Sequence, residues 1–308
     1  MSGRAGEALA LGIDMGGTAT RWVLVDGQGR ELARHAAPGA NGHLYRPEAR
    51  AAFIEAIAAI AARRPHGDIG AIRAGITGHD PATDDDARAI FASAFGTPAA
   101  NIRLSDDVAL AFRAAFAPGQ GHLVSAGTGT VGMSIAPDGA VTRVGGRGVL
   151  IDDAGSGAWI GLAALRAVWR DIEERGRATH TAVLADALAG IVGGADWDSA
   201  RAYVYGRDRG AVGALAPAVA DAARAGDETA LGILTRAGEE IARLARALIA
   251  RCGPAPVGLI GGVLRLHPAI VAAIEAALPD AELVFPKIDA AATAARLALE
   301  PLDNEATR

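Results

Sequence analysis

The feature that most limits how this chain can fold is a pattern of turns that occurs twice, about 112 residues apart. In the first copy, an apolar run meets Gly16-Gly17-Thr18, and a second apolar run leads to Asp26-Gly27. In the second copy, an apolar run meets Gly127-Thr128-Gly129-Thr130, and the next run leads to Asp138-Gly139. This spacing is typical of two β-hairpins in series, with Asp-Gly at a tight turn that needs a positive φ. We therefore expect an internal duplication in which Thr18 corresponds to Thr130 and Gly27 to Gly139.

Strand-like and helical patterns alternate through the rest of the sequence. Short strand-like runs cover 71–77, 102–104, 257–260 and 282–285. Helical spacing covers 47–63, 84–95, 108–116, 268–277 and 289–299. A long stretch rich in Ala, Leu, Arg and Glu, from 162 to 251, is helical except at Gly193-Gly194 and Gly206. This alternation predicts an α/β fold with crossover helices and a helical insertion in its second half.

Composition and charge exclude several classes of protein. With 35 acidic and 30 basic residues the net charge is −5, which gives no basic field for nucleic acid or an anionic membrane. No stretch is apolar enough to span a bilayer, and the first residues lack the apolar segment of a secretory signal. We therefore expect a cytoplasmic protein with neither nucleic-acid nor membrane partners.

Two residue types that occur once each exclude further kinds of site. Lys287 is the only lysine, so the chain has neither a P-loop lysine nor the strand lysine of protein kinases. Cys252 is the only cysteine, which excludes an internal disulfide and a multi-cysteine metal cluster on one chain. We expect Cys252 to be an inert core residue at a helix end.

Asp14 and the turn Gly16-Gly17-Thr18 follow the first strand-like run. Glycines without a Cβ let backbone N–H groups approach an anion, and the Thr18 hydroxyl adds a donor. Asp14 is placed to hold a hydrated Mg²⁺ near phosphates. An ordinary hairpin turn also uses glycine, but a second glycine–threonine turn at 127–130 favours a pair of phosphate-binding loops.

Ser105-Asp106-Asp107 ends a strand-like run and opens a helical one. Either aspartate would cap the helix, since carboxylates favour helix N-termini. A carboxylate at a strand end beside a phosphate site also stands where a general base takes the proton of an alcohol. The two roles are compatible, because one aspartate can cap while the other catalyses.

Further glycine-rich segments and an acidic run offer weaker signals. The polar residues between 145 and 157 suit a polyol, whose hydroxyls need partners when buried, although a flexible surface loop has a similar composition. Ser156 lies outside any nucleophile-elbow motif. Gly261-Gly262 follows a strand and suits either a nucleotide contact or a plain strand-to-helix turn. Asp84-Asp85-Asp86 is expected to begin a helix rather than bind a metal.

Together these motifs resemble the sugar kinase/hsp70/actin superfamily, which is built from two duplicated ribonuclease-H-like (actin-like ATPase) domains around an ATP cleft. Within it the chain is similar to the BadF/BadG/BcrA/BcrD ATPase family, in the branch that holds N-acetylglucosamine kinase and bacterial glucosamine kinases. The segments that carry the resemblance are 12–18, 105–116, 125–130, 145–161 and 259–263. It implies an N-terminal domain of residues 1–118 plus 290–308, and a C-terminal domain of 119–289 with the helical segment 162–251.

The resemblance also implies roles for individual residues. The first phosphate-binding loop for ATP would comprise Asp14, Gly16, Gly17 and Thr18. The second phosphate-binding loop would comprise Gly127, Thr128, Gly129 and Thr130. A third loop, Gly261 and Gly262, would border the adenosine. Asp14 would lie near Mg²⁺ and bind it through water. Asp107, followed by Val108 and Ala111, fits the spacing of the family's catalytic aspartate. The sugar would contact Asn41, Asp107, Gly146 and Asp153.

Three positions depart from the family's pattern. Asp106 stands where the pattern prefers asparagine, which leaves a rival base beside Asp107. Ala154 stands where it prefers glutamate, and Arg147 stands where the eukaryotic kinases carry tryptophan. The last two lie near the expected sugar pocket, so the identity of the sugar stays open.

The function that the resemblance implies is ATP-dependent phosphorylation of an amino sugar, N-acetylglucosamine or glucosamine, by a chain that we expect to form a homodimer. The alternative is an ATPase of the BadF type that acts as an activator or as a sugar-responsive sensor. Activators of this kind hold an iron–sulfur cluster through two cysteines from each subunit, and this chain has one cysteine. A sensor of the DNA-binding kind would need a basic arm or a helix-turn-helix, and neither pattern is evident.

Overall fold

The computed structural model describes residues 9–301, which divide into two compact units. The first unit comprises the described residues up to Phe116 and from Lys287 onward, and the second unit is Ala117–Pro286. The domain limits that the resemblance implies lie within three residues of these boundaries and stay a prediction.

The first unit is built on a mixed five-stranded sheet. Its elements before the second unit are β1 (Leu9–Met15), β2 (Ala19–Val25), β3 (Glu31–Pro38), α1 (Pro47–Arg63), β4 (Ile69–Ile76), α2 (Asp84–Phe95), β5 (Ile102–Asp106) and α3 (Asp107–Ala115). The strand order is β3-β2-β1-β4-β5. The first three strands run antiparallel as a meander, and β4 and β5 run parallel to β1.

The second unit repeats this sheet and adds helices. Its elements are β6 (His122–Ala126), β7 (Thr130–Ile135), β8 (Val141–Gly145), α4 (Gly157–Arg175), α5 (Ala182–Val192), α6 (Trp197–Tyr205), α7 (Arg209–Gly213), α8 (Ala216–Arg224), α9 (Glu228–Cys252), β9 (Val257–Ile260), α10 (Pro268–Ala277) and β10 (Leu283–Val284). The strand order β10-β9-β6-β7-β8 is that of the first sheet. Two α/β sheets of one topology confirm the fold class and the duplication.

The residues that are structurally equivalent in the two copies differ from those that the 112-residue offset predicts. Met15 pairs with Thr20 across the first hairpin, whereas Ala126 pairs with Thr130 across the second. The second connection is therefore one residue shorter, and Thr130 corresponds to Thr20 rather than to Thr18. The offset of 112 was wrong because hydrogen-bonded strand pairing fixes the equivalence, and matching glycines do not.

The next turn shows the same shift. Gly29 has φ +78° and donates its N–H to Asp26 O, while Gly139 has φ +90° and donates to Ala136 O. Gly29, and not Gly27, is thus the counterpart of Gly139. The prediction that Asp26-Gly27 supplies the positive φ was wrong in this copy, because Asp26 opens the turn and accepts the N–H of Arg30 on its carboxylate.

The last helix, α11 (Ala290–Ala298), returns to the first sheet. Its alanines Ala291 and Ala295 pack with Ala10 and Val23. Gly12 lies beneath it, where any Cβ would overlap the backbone of the helix. The opposite face of the sheet is covered by large side chains of α1 and α2, so β1 is buried on both sides.

Of two further expectations, the helix start at Asp84 is confirmed and the burial of Cys252 is wrong. The acidic run does begin α2, with Asp84 bonded to His79 and Arg88. Cys252 is exposed at the end of α9, so its assignment to the core was wrong: the helix stops there, with Gly253 as its C-cap. None of the helices in the described part of the chain is both long and apolar enough to cross a membrane.

Candidate active site

In the first unit, candidate residues gather where β1, β4 and β5 end. Met15 lies opposite Ile76, and Ile76 lies opposite Asp106. Because these strands are parallel, their carboxyl ends share one edge of the sheet. Thr77 continues this edge by donating its N–H to Met15 O at 2.9 Å. Asp14, Thr77 and Asp107 therefore come from three distant parts of the sequence to one place.

Gly16, Gly17 and Thr18 form the first glycine turn, which joins β1 to β2. Gly17 and Thr18 are exposed, so their backbone N–H groups and the threonine hydroxyl are accessible. Gly39 packs directly on this turn, because a Cβ there would overlap the Gly17 carbonyl. The segment that follows includes Asn41, which is half-buried and accepts the His43 N–H on its Oδ1 at 3.1 Å.

Asp14 lies at the base of the first glycine turn. Burial raises the pKa of its carboxyl, Arg21 opposes this, and Asp289 adds to it. The guanidinium of Arg21 is 3.9 Å from Asp14 Oδ2. Arg21 is at the far limit of an ion pair and the Asp14 carboxylate stays partly accessible, which fits a hydrated Mg²⁺ held mainly by phosphates. The residues present therefore fit the metal that the resemblance implies.

Asp106 and Asp107 have separate roles in the local structure. Asp106 is the N-cap of α3 and accepts the Val108 N–H at 2.9 Å. Asp107 begins the helix, and the pKa of its carboxyl is raised to about 7, first by burial and then by the charge of Asp106. A hydrogen bond from the Thr77 side chain lowers the pKa again, and the charge of Asp14 raises it. The result is a carboxyl that titrates near neutral pH.

Gly75 on β4 determines how closely α3 approaches the sheet. A Cβ at this position would lie 2.8 Å from Leu110 Cβ and 3.3 Å from Asp107 Cα. Real Cβ atoms essentially never come within 3.0 Å of such a carbon, so the 2.8 Å approach to Leu110 Cβ would force the helix to move. The absence of a side chain at residue 75 therefore positions the start of α3, and with it Asp107, against the strand ends.

In the second unit, Gly127, Thr128 and Gly129 form the second glycine turn. Gly127 N donates to Gly129 O at 2.9 Å, and Gly157 N of α4 donates to Gly127 O at 2.8 Å. Thr128 is half-buried. Thr130 is buried, and its Oγ1 has no hydrogen-bond partner among the described residues. Thr128 is thus partly accessible at the turn, whereas the hydroxyl of Thr130 is enclosed.

Asp153 lies beside the second glycine turn in a strained conformation. It has φ +49° and is 3% exposed. Its Oδ1 accepts the Gly148 N–H at 2.9 Å, while its Oδ2 is 3.0 Å from the position that a Cβ on Gly129 would take. Gly146, with φ +62°, is tied to β7 through Thr130 O. A buried, strained carboxylate of this kind is typical of a functional site.

Gly261 and Gly262 follow β9, the strand next to β6. Ile260 lies opposite Ser125, so Gly261 comes beside Ala126 at the end of β6. Its φ is +115°, and a Cβ would overlap the Ala126 carbonyl. Only glycine fits this position, which brings the second glycine turn and Gly262 to the same edge of the second sheet.

Sequence reasoning missed the part of the second unit that comes from the helical insertion. The backbone of α7 lies directly on α4, because a Cβ on Gly161 would be 2.5 Å from Val212 O. The end of α7 reaches the second glycine turn, where Thr128 Cγ2 is 3.3 Å from the Cβ position of Gly213. The glycines at 157 and 161, four residues apart on one face of a helix, were the available signal.

Two units of equal strand order, each opening with a hairpin around a glycine turn, define an actin-like protein of two α/β domains. The sequence profile of the BadF/BadG/BcrA/BcrD ATPase family matches residues 11–298. The chain therefore belongs to the BadF/BadG/BcrA/BcrD ATPase family.

Individual relatives agree with this assignment. An N-acetyl-D-glucosamine kinase of Dictyostelium discoideum is 30% identical over 197 residues, which cover 59% of this chain and 61% of that protein. A Chromobacterium violaceum protein, provisionally named N-acetylglucosamine kinase, has a structure with a TM-score of 0.76 and 27% identity, covering 96% of this chain and 100% of that one. A Streptomyces griseus ROK family glucokinase shares the fold, with a TM-score of 0.60, 18% identity, and 94% and 98% of the two chains covered.

Proposed function

We propose that this protein transfers the γ-phosphoryl group of ATP to a hydroxyl of a sugar. The observation that carries the proposal is the cluster at the edge of the first sheet, where a carboxyl with a pKa of about 7 lies beside the first glycine turn. The family and the kinases among the relatives support the same reaction.

Asp107 is the general base in this proposal. A sugar hydroxyl is a poor nucleophile at neutral pH and loses its proton as it attacks phosphorus, so a carboxylate within hydrogen-bond reach lowers the barrier. Asp106 already accepts a backbone N–H as the helix cap, which leaves Asp107 as the carboxyl without a capping role. Thr77 is a positioning residue: its side chain hydrogen bond favours the charged form that accepts the proton.

The two glycine turns bind the phosphates. Gly16, Gly17 and Thr18 offer exposed N–H and hydroxyl donors, and the second glycine turn offers the Thr128 hydroxyl beside an open Gly127, whose Cβ position has no atom within 4 Å. Gly261 and Gly262 border the adenosine. Asp14 would hold Mg²⁺ through water, and the metal would supply positive charge that stabilises the phosphate oxygens.

We propose an amino sugar as the substrate, because N-acetylglucosamine is the sugar in the names of the Dictyostelium and Chromobacterium relatives. Asn41, Gly146 and Asp153 contact it in this proposal, together with Asp107. Asp153 keeps Oδ2 for a ligand, since its Oδ1 holds the Gly148 N–H. A homodimer in the cytoplasm is expected as well.

A coupled assay of ADP release tests the proposal. Purified protein is incubated with ATP and Mg²⁺ and with one sugar at a time: glucosamine, N-acetylglucosamine, glucose, mannosamine or N-acetylmannosamine. We expect one amino sugar to stimulate ADP release and to yield a sugar phosphate by mass spectrometry. ATP hydrolysis that no sugar stimulates, with no phosphorylated product, would instead indicate an ATPase that acts as an activator or a sensor.

A further inference from the structure

We infer that Arg209 binds the phosphates of the nucleotide at the second glycine turn. This inference rests on the proposed function. It adds to that function a cationic side chain that lies outside the sequence motifs. Arg209 is the first residue of α7 in the helical insertion, far in sequence from both glycine turns.

Backbone packing determines where Arg209 lies. Helix α7 has no side-chain layer between itself and α4, since Gly161 faces Val212 O and Gly157 faces Gly213 O. The Tyr203 hydroxyl also donates to Ala211 O at 2.8 Å. These contacts hold the backbone of a short helix whose isolated stability would be low.

Helix α4 is attached in turn to the second glycine turn. Gly157 N donates to Gly127 O at 2.8 Å, and Ala158 N donates to Thr128 O at 3.4 Å. Main-chain contacts therefore run from α7 through α4 to the turn. Arg209 is held relative to the glycines by backbone, although its own side chain is exposed.

The guanidinium of Arg209 reaches the turn. Its Nη1 is 4.0 Å from the position that a Cβ on Gly129 would take, and Asp153 Oδ2 is 3.0 Å from the same point. The two groups thus lie within about 7 Å of each other, yet they form no ion pair in the part of the chain that the structure describes. Asp208, the neighbouring acid, is occupied as the cap of α7 and accepts the Ala211 N–H at 3.0 Å.

The charge at the turn explains why a cation is needed there. Asp153 places a buried carboxylate beside Gly129, and a carboxylate repels the phosphates that the turn would bind. Arginine offsets that charge and can donate two parallel hydrogen bonds to phosphate oxygens. Unpartnered arginines are common on protein surfaces; Arg209 differs from them because backbone contacts hold it at a glycine turn.

Binding calorimetry with ATP, ADP and adenosine tests this inference on four proteins: wild type, Arg209→Ala, Arg209→Lys and Arg201→Ala. Arg201 is the matched control, an exposed arginine on α6 whose partner is Asp198 at 3.0 Å. We expect Arg209→Ala to weaken ATP and ADP binding by about tenfold or more while adenosine binding changes less than about twofold. Arg209→Lys should lie between, because lysine keeps the charge and loses the paired donors.

The possible results distinguish the role of Arg209 from the proposed kinase activity. Equal ATP affinity in wild type and Arg209→Ala, or an equal loss for adenosine, would overturn the role of Arg209 and leave the kinase proposal standing. No ATP binding by the wild type would overturn both. Thermal melts confirm that each variant is folded before its affinity is compared.

Discussion

Replacing Asp107 by asparagine removes one ionisable group and leaves the shape of the side chain almost unchanged. In the folded protein this carboxyl keeps its proton up to about pH 7, whereas its ordinary pKa is 3.8. Between these two pH values the folded state binds more protons than the unfolded chain, so ionisation destabilises the wild-type fold as pH rises. Asparagine cannot ionise. We therefore expect Asp107→Asn to gain stability relative to wild type between about pH 4 and pH 7, and to keep that gain above pH 7.

The size of the gain follows from the shift. One pKa unit corresponds to about 1.4 kcal/mol, so a rise from 3.8 to about 7 sets an upper limit of about 4 kcal/mol. Asp107 keeps part of its surface accessible, and its charge is shared with Asp106, so about half of this limit is a realistic expectation. A gain of about 2 kcal/mol corresponds to a rise in Tm of about 5 °C for a domain of this size.

Urea unfolding of wild type and Asp107→Asn at pH 5 and pH 8 measures the difference in stability. Steady-state kinetics measure the accompanying loss of turnover. We expect the stability difference to grow from pH 5 to pH 8, while turnover falls by at least about a hundredfold and sugar and ATP still bind. Asp106→Asn is the control, since asparagine also caps helices, and it should lose far less activity. A stability difference that is equal at both pH values would refute the burial argument. Near-normal turnover in Asp107→Asn beside an inactive Asp106→Asn would assign the base to residue 106.

Three further substitutions test other parts of the site. Gly129→Val should weaken ATP binding in calorimetry, because its Cβ would meet Asp153 Oδ2 and its methyl groups would fill the turn; unchanged affinity in the folded variant would contradict the phosphate-binding role. Gly75→Val should displace the start of α3, lowering turnover and Tm together; full activity would show that Asp107 tolerates the shift. Thr77→Val removes a hydrogen bond that lowers the pKa of Asp107, so activity should be lost at a higher pH on acidification; an unmoved acid limb of the pH–rate profile would exclude this role.

Helices and strands whose ends are marked by neighbouring residues were predicted with the bounds that the structure shows. Helices α1 and α10 begin at Pro47 and Pro268, and both were expected from those residues, because proline favours the first turn of a helix. Strand β9 was also placed at its observed limits. In each case the information lies in neighbouring residues, so one sequence is sufficient.

The features that were missed depend on contacts between distant residues. The true register, with Thr130 opposite Ala126, is set by strand pairing that matching glycines do not reveal. The approach of α7 to α4 depends on Gly157 and Gly161 meeting a helix about fifty residues further along the chain. For the same reason Arg209 had no local pattern that marked it as a site residue.

The packing of α11 on β1 has a consequence for the order of events during synthesis. The ribosome produces β1 to α3 first, but the surface around Gly12 and Ala10 lacks its cover until residues 290–298 are made. The second unit, by contrast, is one continuous segment, Ala117–Pro286. Nascent chains should therefore complete the second unit while the first waits with an uncovered apolar strand, a state in which chaperones commonly act.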